Sequence, residues 1–135
     1  MSAATPKRKP SILGAAPIVA FVPTKNFATA QPFYETTLGL KLLSQDDFAL
    51  LFEVPGARVR VAKVDAFTPD PFTILAWRVA DVKATVAALA ERGVQFERYP
   101  GMPQDALGVW TAPSGARVAW FKDPDGNVLS VVQQG

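Results

Sequence analysis

The chain has 135 residues, 49% hydrophobic and 19% charged, with a net charge of +2 and neither cysteine nor histidine. That length suits one domain burying roughly 65% of its unfolded surface, and the composition is globular rather than disordered. The missing residue types exclude disulfides, thiol catalysis, Ser-His-Asp triads and CxxC zinc sites. There is also no basic stripe with interleaved aromatics to suggest nucleic acid, and no apolar run near the roughly 20 residues of a membrane span.

At the N-terminus Lys7, Arg8 and Lys9 precede an apolar run from Ile12 to Val22, and Ala28-Thr29-Ala30 offers a small-residue cleavage pattern. Together these have the form of a signal peptide. Pro17 interrupts the run, however, and cleavage would delete a strand required by the repeat described below. Residues 1–15 are therefore read as a flexible basic arm on a cytoplasmic protein.

Pro17 to Thr24 predicts a strand, with proline near each end where a ladder donor is spared. Thr24 or Asn26 caps a helix from about Phe27 to Leu38, with Pro32 either near the first turn or bending it, and Gly39 as its stop. Leu40 to Leu43 begins a strand. Phe48 to Val54 and Arg58 to Val64 form a hairpin across Pro55 and Gly56. Residues 66–72, with Pro69 and Pro71, read as a linker.

The second half repeats the first. Thr73 to Val79 is a strand, Asp81 caps a helix from Val82 to Arg92, Gly93 ends it and Val94 to Tyr99 is extended. A loop from Pro100 to Leu107 leads to Gly108–Ala112 and then to a hairpin of Ala116–Phe121 with Val128–Gln133. Its reversal, Asp123-Pro124-Asp125-Gly126-Asn127, is strong turn chemistry. Each half is strand, helix and three strands. Matching Val22 with Val79, Gly39 with Gly93 and Gly56 with Gly126 sets Pro17 opposite Ile74 and Arg60 opposite Ser130.

The run Phe121, Asp123, Pro124, Asp125, Gly126, Asn127 followed by an apolar strand, set in this repeat, resembles the terminal hairpin of the glyoxalase, bleomycin-resistance and extradiol-dioxygenase superfamily. The resemblance covers nearly everything after residue 15. It implies an α+β fold of two βαβββ modules, about 16–66 and 73–135, whose curled mixed sheets surround a central cavity. In metal-dependent members, four cavity-facing strand positions supply His, Glu or Gln ligands. Carried over by the repeat, they fall on Pro17, Arg60, Ile74 and Ser130. Proline and isoleucine offer no donor atom, arginine brings its own positive charge, and a lone hydroxyl is a poor ligand. Neither metal nor cofactor is therefore expected, and an enzyme is disfavoured. The subset most resembled is metal-free and sequesters a small aromatic or amphipathic molecule as a homodimer.

Strand parity turns Phe21, Arg58, Arg60, Ile74, Trp120 and Ser130 toward the cavity and packs Val22, Trp77, Phe121, Leu129 and Val131 beneath the helices. The expected ligand contacts are Phe21, Arg58, Arg60, Trp110, Trp120 and Ser130, with Arg60 either receiving an anionic group or pairing with Glu53. Asp123 and Asp125 read as turn formers, and Tyr34 as interface or core. One rival is a lyase, isomerase or dioxygenase whose metal is held by atypical carboxylates such as Glu53 or Asp65. Another is a ligand-free structural domain whose cavity is filled by Phe21, Trp110 and Trp120. Whether the modules pair within one chain or swap between two stays open.

Overall fold

The computed structural model describes residues 9–135, so positions 1–8 of the basic arm lie outside the described residues. The first module comprises β1 (Ile18–Thr24), α1 (Phe27–Pro32) running into a π-helical turn (Phe33–Thr37), β2 (Lys41–Gln45), β3 (Ala49–Val54) and β4 (Ala57–Lys63). The second comprises β5 (Thr73–Arg78), α2 (Val82–Glu91), β6 (Trp110–Thr111), β7 (Arg117–Lys122) and β8 (Val128–Gln133). They form two four-stranded sheets ordered β1-β4-β3-β2 and β5-β8-β7-β6. In each, the first and last strands of the module run parallel and the remaining pairs antiparallel. This is the repeated α+β architecture that the sequence predicts.

The caps act locally. The Asn26 side chain accepts the Ala28 N–H, and Asp81 accepts that of Ala84. Pro32 ends α1 rather than starting it. Its ring nitrogen has no hydrogen to donate, and beyond it the helix widens, so that the Leu38 N–H bonds the Phe33 carbonyl at 2.9 Å.

Two departures from the sequence reading lie in the second module. Val94 to Tyr99 forms no strand: only Phe96 bridges Phe121. The Gln104 side chain takes over the backbone groups that a ladder would have paired, accepting the Tyr99 N–H and donating to the Glu97 and Gly108 carbonyls. Gly108, at φ +89°, fits against Phe96, where an added Cβ would come within 3.2 Å of the phenylalanine Cβ. The second departure is a bulge in β5. Thr73 pairs with Val128 and Leu75 with Leu129, leaving Ile74 as the extra residue, packed against the core rather than facing a cavity.

The two helix-side sheet faces share one core. Val22, Leu50, Phe52, Val59 and Val61 of the first sheet join Phe121, Leu129 and Val131 of the second, together with Tyr34 and with Val82 and Val86 of α2. The rings of Phe33 and Trp77 flank Phe121 at centroid distances of 6.4 and 6.5 Å. The modules thus pack helix side to helix side, and their other faces turn away from one another. Within one chain the sheets do not close around a common cavity.

A buried polar joint fixes this arrangement. Asp123 is only 5% exposed. One of its oxygens accepts the Asp125 and Asn127 N–H groups; the other accepts the Tyr34 hydroxyl at 2.6 Å and the Asn127 side-chain amide at 2.8 Å. Asp125 accepts the Thr24 hydroxyl at 2.6 Å and the Lys25 N–H at 2.9 Å, and the Asn127 amide also donates to the Pro23 carbonyl. Burial and the neighbouring Asp123 hold the Tyr34 hydroxyl protonated, far above its ordinary pKa. Burial pushes the Asp123 carboxyl above the usual carboxylate range, against the opposing pull of its hydrogen bonds from Tyr34 and Asn127.

Removing one donor from a buried acceptor costs about 1–3 kcal/mol, so Tyr34→Phe should lower the urea-unfolding free energy by about that amount. Asp123→Ala, which strands several donors at once, should cost more. An unchanged midpoint in Tyr34→Phe would contradict the structural role of this joint.

Candidate functional site

The outward face of the first sheet is organised in cross-strand rows. Phe21 lies beside Arg60 and Arg60 beside Leu51; Val19 lies beside Arg58 and Arg58 beside Glu53. Paired residues project to the same side. Phe21 is 64% exposed and Val19 47%. The Arg60 guanidinium sits 5.9 Å from the centroid of the Phe21 ring, an interaction of about 0.5–1 kcal/mol in an exposed setting. The alternative Arg60–Glu53 pair is not formed: Glu53 stands opposite Arg58 and Lys41, and among the described residues neither Arg58 nor Arg60 takes part in an ion pair. At the rim, Asp46 accepts the Phe48 and Ala49 N–H groups, which, with the Arg60 charge nearby, hold its carboxyl below the usual range. An open depression of about 490 Å³ adjoins Arg58, lined by Pro17, Glu53 and the turn from Val54 to Ala57.

The outward face of the second sheet is aromatic. Ser130 lies between Ala76 and Trp120, and Val132 between Arg78 and Val118, with Trp110 next to Val118. Trp120 meets Tyr99 edge-on at 5.4 Å and leans toward Trp110 at 6.1 Å. All three rings are half-buried, and Ser130 is buried. Tyr99 was not among the sequence candidates. It sits outside any regular strand, and only the folding back of residues 94–104 brings it to Trp120. Burial, then Glu97, raises its hydroxyl pKa above the ordinary value.

The six expected contacts therefore separate into two groups. Phe21, Arg58 and Arg60 share one sheet face; Trp110, Trp120 and Ser130 share the other. Within one chain these faces point away from each other. Phe21 consequently does not join the tryptophans in filling a shared space.

The four positions where the family's metal-dependent members place ligands do not fit a metal. Pro17 precedes β1 and is exposed, Ile74 faces the core, and Arg60 and Ser130 belong to opposite outward faces. Among the described residues no three acidic side chains gather to replace them. Glu53 stands among cations, and the Tyr34 hydroxyl, held by Asp123, is no available proton acceptor.

A family model described as Glyoxalase/Bleomycin resistance protein/Dioxygenase superfamily matches residues 16–131. No curated protein matches the sequence. Among solved structures, TnmS3, an antibiotic binding protein from Streptomyces sp. CB03234, is 29% identical, with a TM-score of 0.66 over 93% of this chain and 100% of that one. A superfamily member from Sphaerobacter thermophilus is 25% identical, with a TM-score of 0.68 over 91% and 100% of the two chains. A lactoylglutathione lyase from Agrobacterium tumefaciens shares the fold at 15% identity, with a TM-score of 0.70 over 90% and 96%.

The donor chemistry at these positions predicts the outcome of a calorimetric titration of chelator-stripped protein with Ni²⁺, Zn²⁺, Fe²⁺ and Mn²⁺. No stoichiometric binding tighter than about 10 μM, or about −6.8 kcal/mol, should appear. Tighter binding would restore a metal-dependent reading.

Proposed function

Since the chain belongs to the glyoxalase/bleomycin resistance protein/dioxygenase superfamily, we propose that it is a metal-independent cytoplasmic binding protein that holds a small aromatic or amphipathic molecule between two copies of itself. The observation that carries this reading is the outward exposure of Phe21 and Val19 on one sheet, while an aromatic cluster lies on the outward face of the other. Among the described residues neither face is fully covered within its own chain. Apolar and aromatic residues left on an open sheet face mark an interaction surface.

A two-fold pairing that sets the first sheet of one copy against the second sheet of its partner satisfies both faces, and symmetry does so twice. Phe21 and Arg60 then face Trp110 and Trp120 across a ligand-sized space, with flat rings on one wall and a guanidinium on the other. The antibiotic-binding character of TnmS3, at 29% identity over nearly the whole chain, supports sequestration as the use of such a space. The site offers surface and charge for holding a molecule, and no paired general acid and base for transforming one.

Light scattering at micromolar concentration should give the mass of two chains, and Phe21→Asp should shift it toward one. Tryptophan emission should be quenched saturably by the neutral probe N-phenyl-1-naphthylamine, and Trp120→Ala should weaken that binding by about tenfold. A monomeric wild type, or quenching that never saturates, would overturn the reading.

A further inference from the structure

Resting on the binding reading above, we infer that the bound molecule is a planar aromatic anion, its carboxylate or similar oxyanion received by Arg60 while its ring system lies against the tryptophan cluster. The outward faces carry Arg58 and Arg60 on the first sheet and Arg78 on the second. The two ion pairs among the described residues are Lys83–Asp105 and Lys122–Glu97, so none of these guanidiniums is in an ion pair there. The acidic groups near Arg60 form no ion pair with it, although the Asp46 charge is felt there. Asp46 is occupied by the N–H groups of Phe48 and Ala49, and Glu53 lies between Arg58 and Lys41.

Pairing of two copies makes this imbalance consequential. An arginine on an open face is hydrated, but covering the face removes water from it, and a charge so buried needs a partner. A neutral aromatic would leave Arg60 desolvated and unpaired, a cation would add repulsion, and an oxyanion would supply the missing acceptor. The residue type also fits. Arginine offers a planar fork that meets a carboxylate through two parallel hydrogen bonds, and its flat face stacks on rings. Arg60 is already held against Phe21, 5.9 Å from the ring centroid, which limits the orientations its fork must give up on binding.

Three probes with one ring system separate charge from shape: pyrene-1-carboxylate, pyrene-1-carboxamide and 1-pyrenemethylammonium, titrated against the full chain by energy transfer from tryptophan. The carboxylate should bind at least about tenfold tighter than the carboxamide, and the ammonium most weakly. Arg60→Gln should abolish the preference for the carboxylate over the carboxamide, with an unaltered thermal melt as the check on folding. Equal affinity for carboxylate and carboxamide in the wild type would remove the charge assignment and leave the binding reading standing. Survival of the preference in Arg60→Gln would likewise overturn the role of Arg60. Failure of all three probes to bind would overturn the binding reading and this inference together.

Discussion

The hydrogen bond from the Tyr34 hydroxyl to Asp123 joins residues 89 positions apart and ties the helix of the first module to the terminal hairpin turn of the second. With the Thr24–Asp125 and Asn127–Pro23 contacts beside it, it joins the shared apolar core in holding the helix-side faces of the two sheets together. The helix-side faces are drawn together and share one core. The opposite faces are thereby committed to the exterior, and their exposure is a consequence of the joint rather than a separate property. The buried carboxyl is tolerated there because all four of its hydrogen bonds come from donors, two from the backbone of its own turn and two from side chains.

From that commitment the division of the site follows. Each outward face carries an incomplete complement: a guanidinium stacked on an exposed phenylalanine in one sheet, and three half-buried rings in the other. Such faces are costly to leave in water and useful to cover. On the proposed function, a second copy would bring the missing half and a ligand would fill what remains, so assembly and binding would draw on the same surface.

Much of this was legible in the sequence. The hairpin at Asp123–Asn127 and the repeat gave the succession of strands and helices, and parity alone placed Val22, Phe121, Leu129 and Val131 in the core. What escaped has physical causes. The bulge that turns Ile74 inward depends on how β5 meets β8, which no local pattern encodes. The loss of a strand at Val94–Tyr99 depends on Gln104 satisfying its backbone from a distance, and Tyr99 joins the aromatic cluster only as a result. Asp123 shows a subtler limit: turn chemistry explains it fully at short range, so its second task, holding Tyr34, left no local trace. The direction in which the modules face depends on that long-range contact together with the shared core, and with it the separation of Phe21 from Trp120 within one chain.

The most direct measurement of a site shared between copies is complementation. Arg60→Ala chains and Trp120→Ala chains, each deficient alone in binding pyrene-1-carboxylate, would be mixed, unfolded, refolded together and titrated with that anion. If each site takes its first sheet from one chain and its second from the other, a mixed dimer contains one site free of both substitutions. About a quarter of all sites should then regain wild-type affinity at equal mixing. If no high-affinity sites return although mixed dimers form, each site is built within a single chain, and the division described here is wrong.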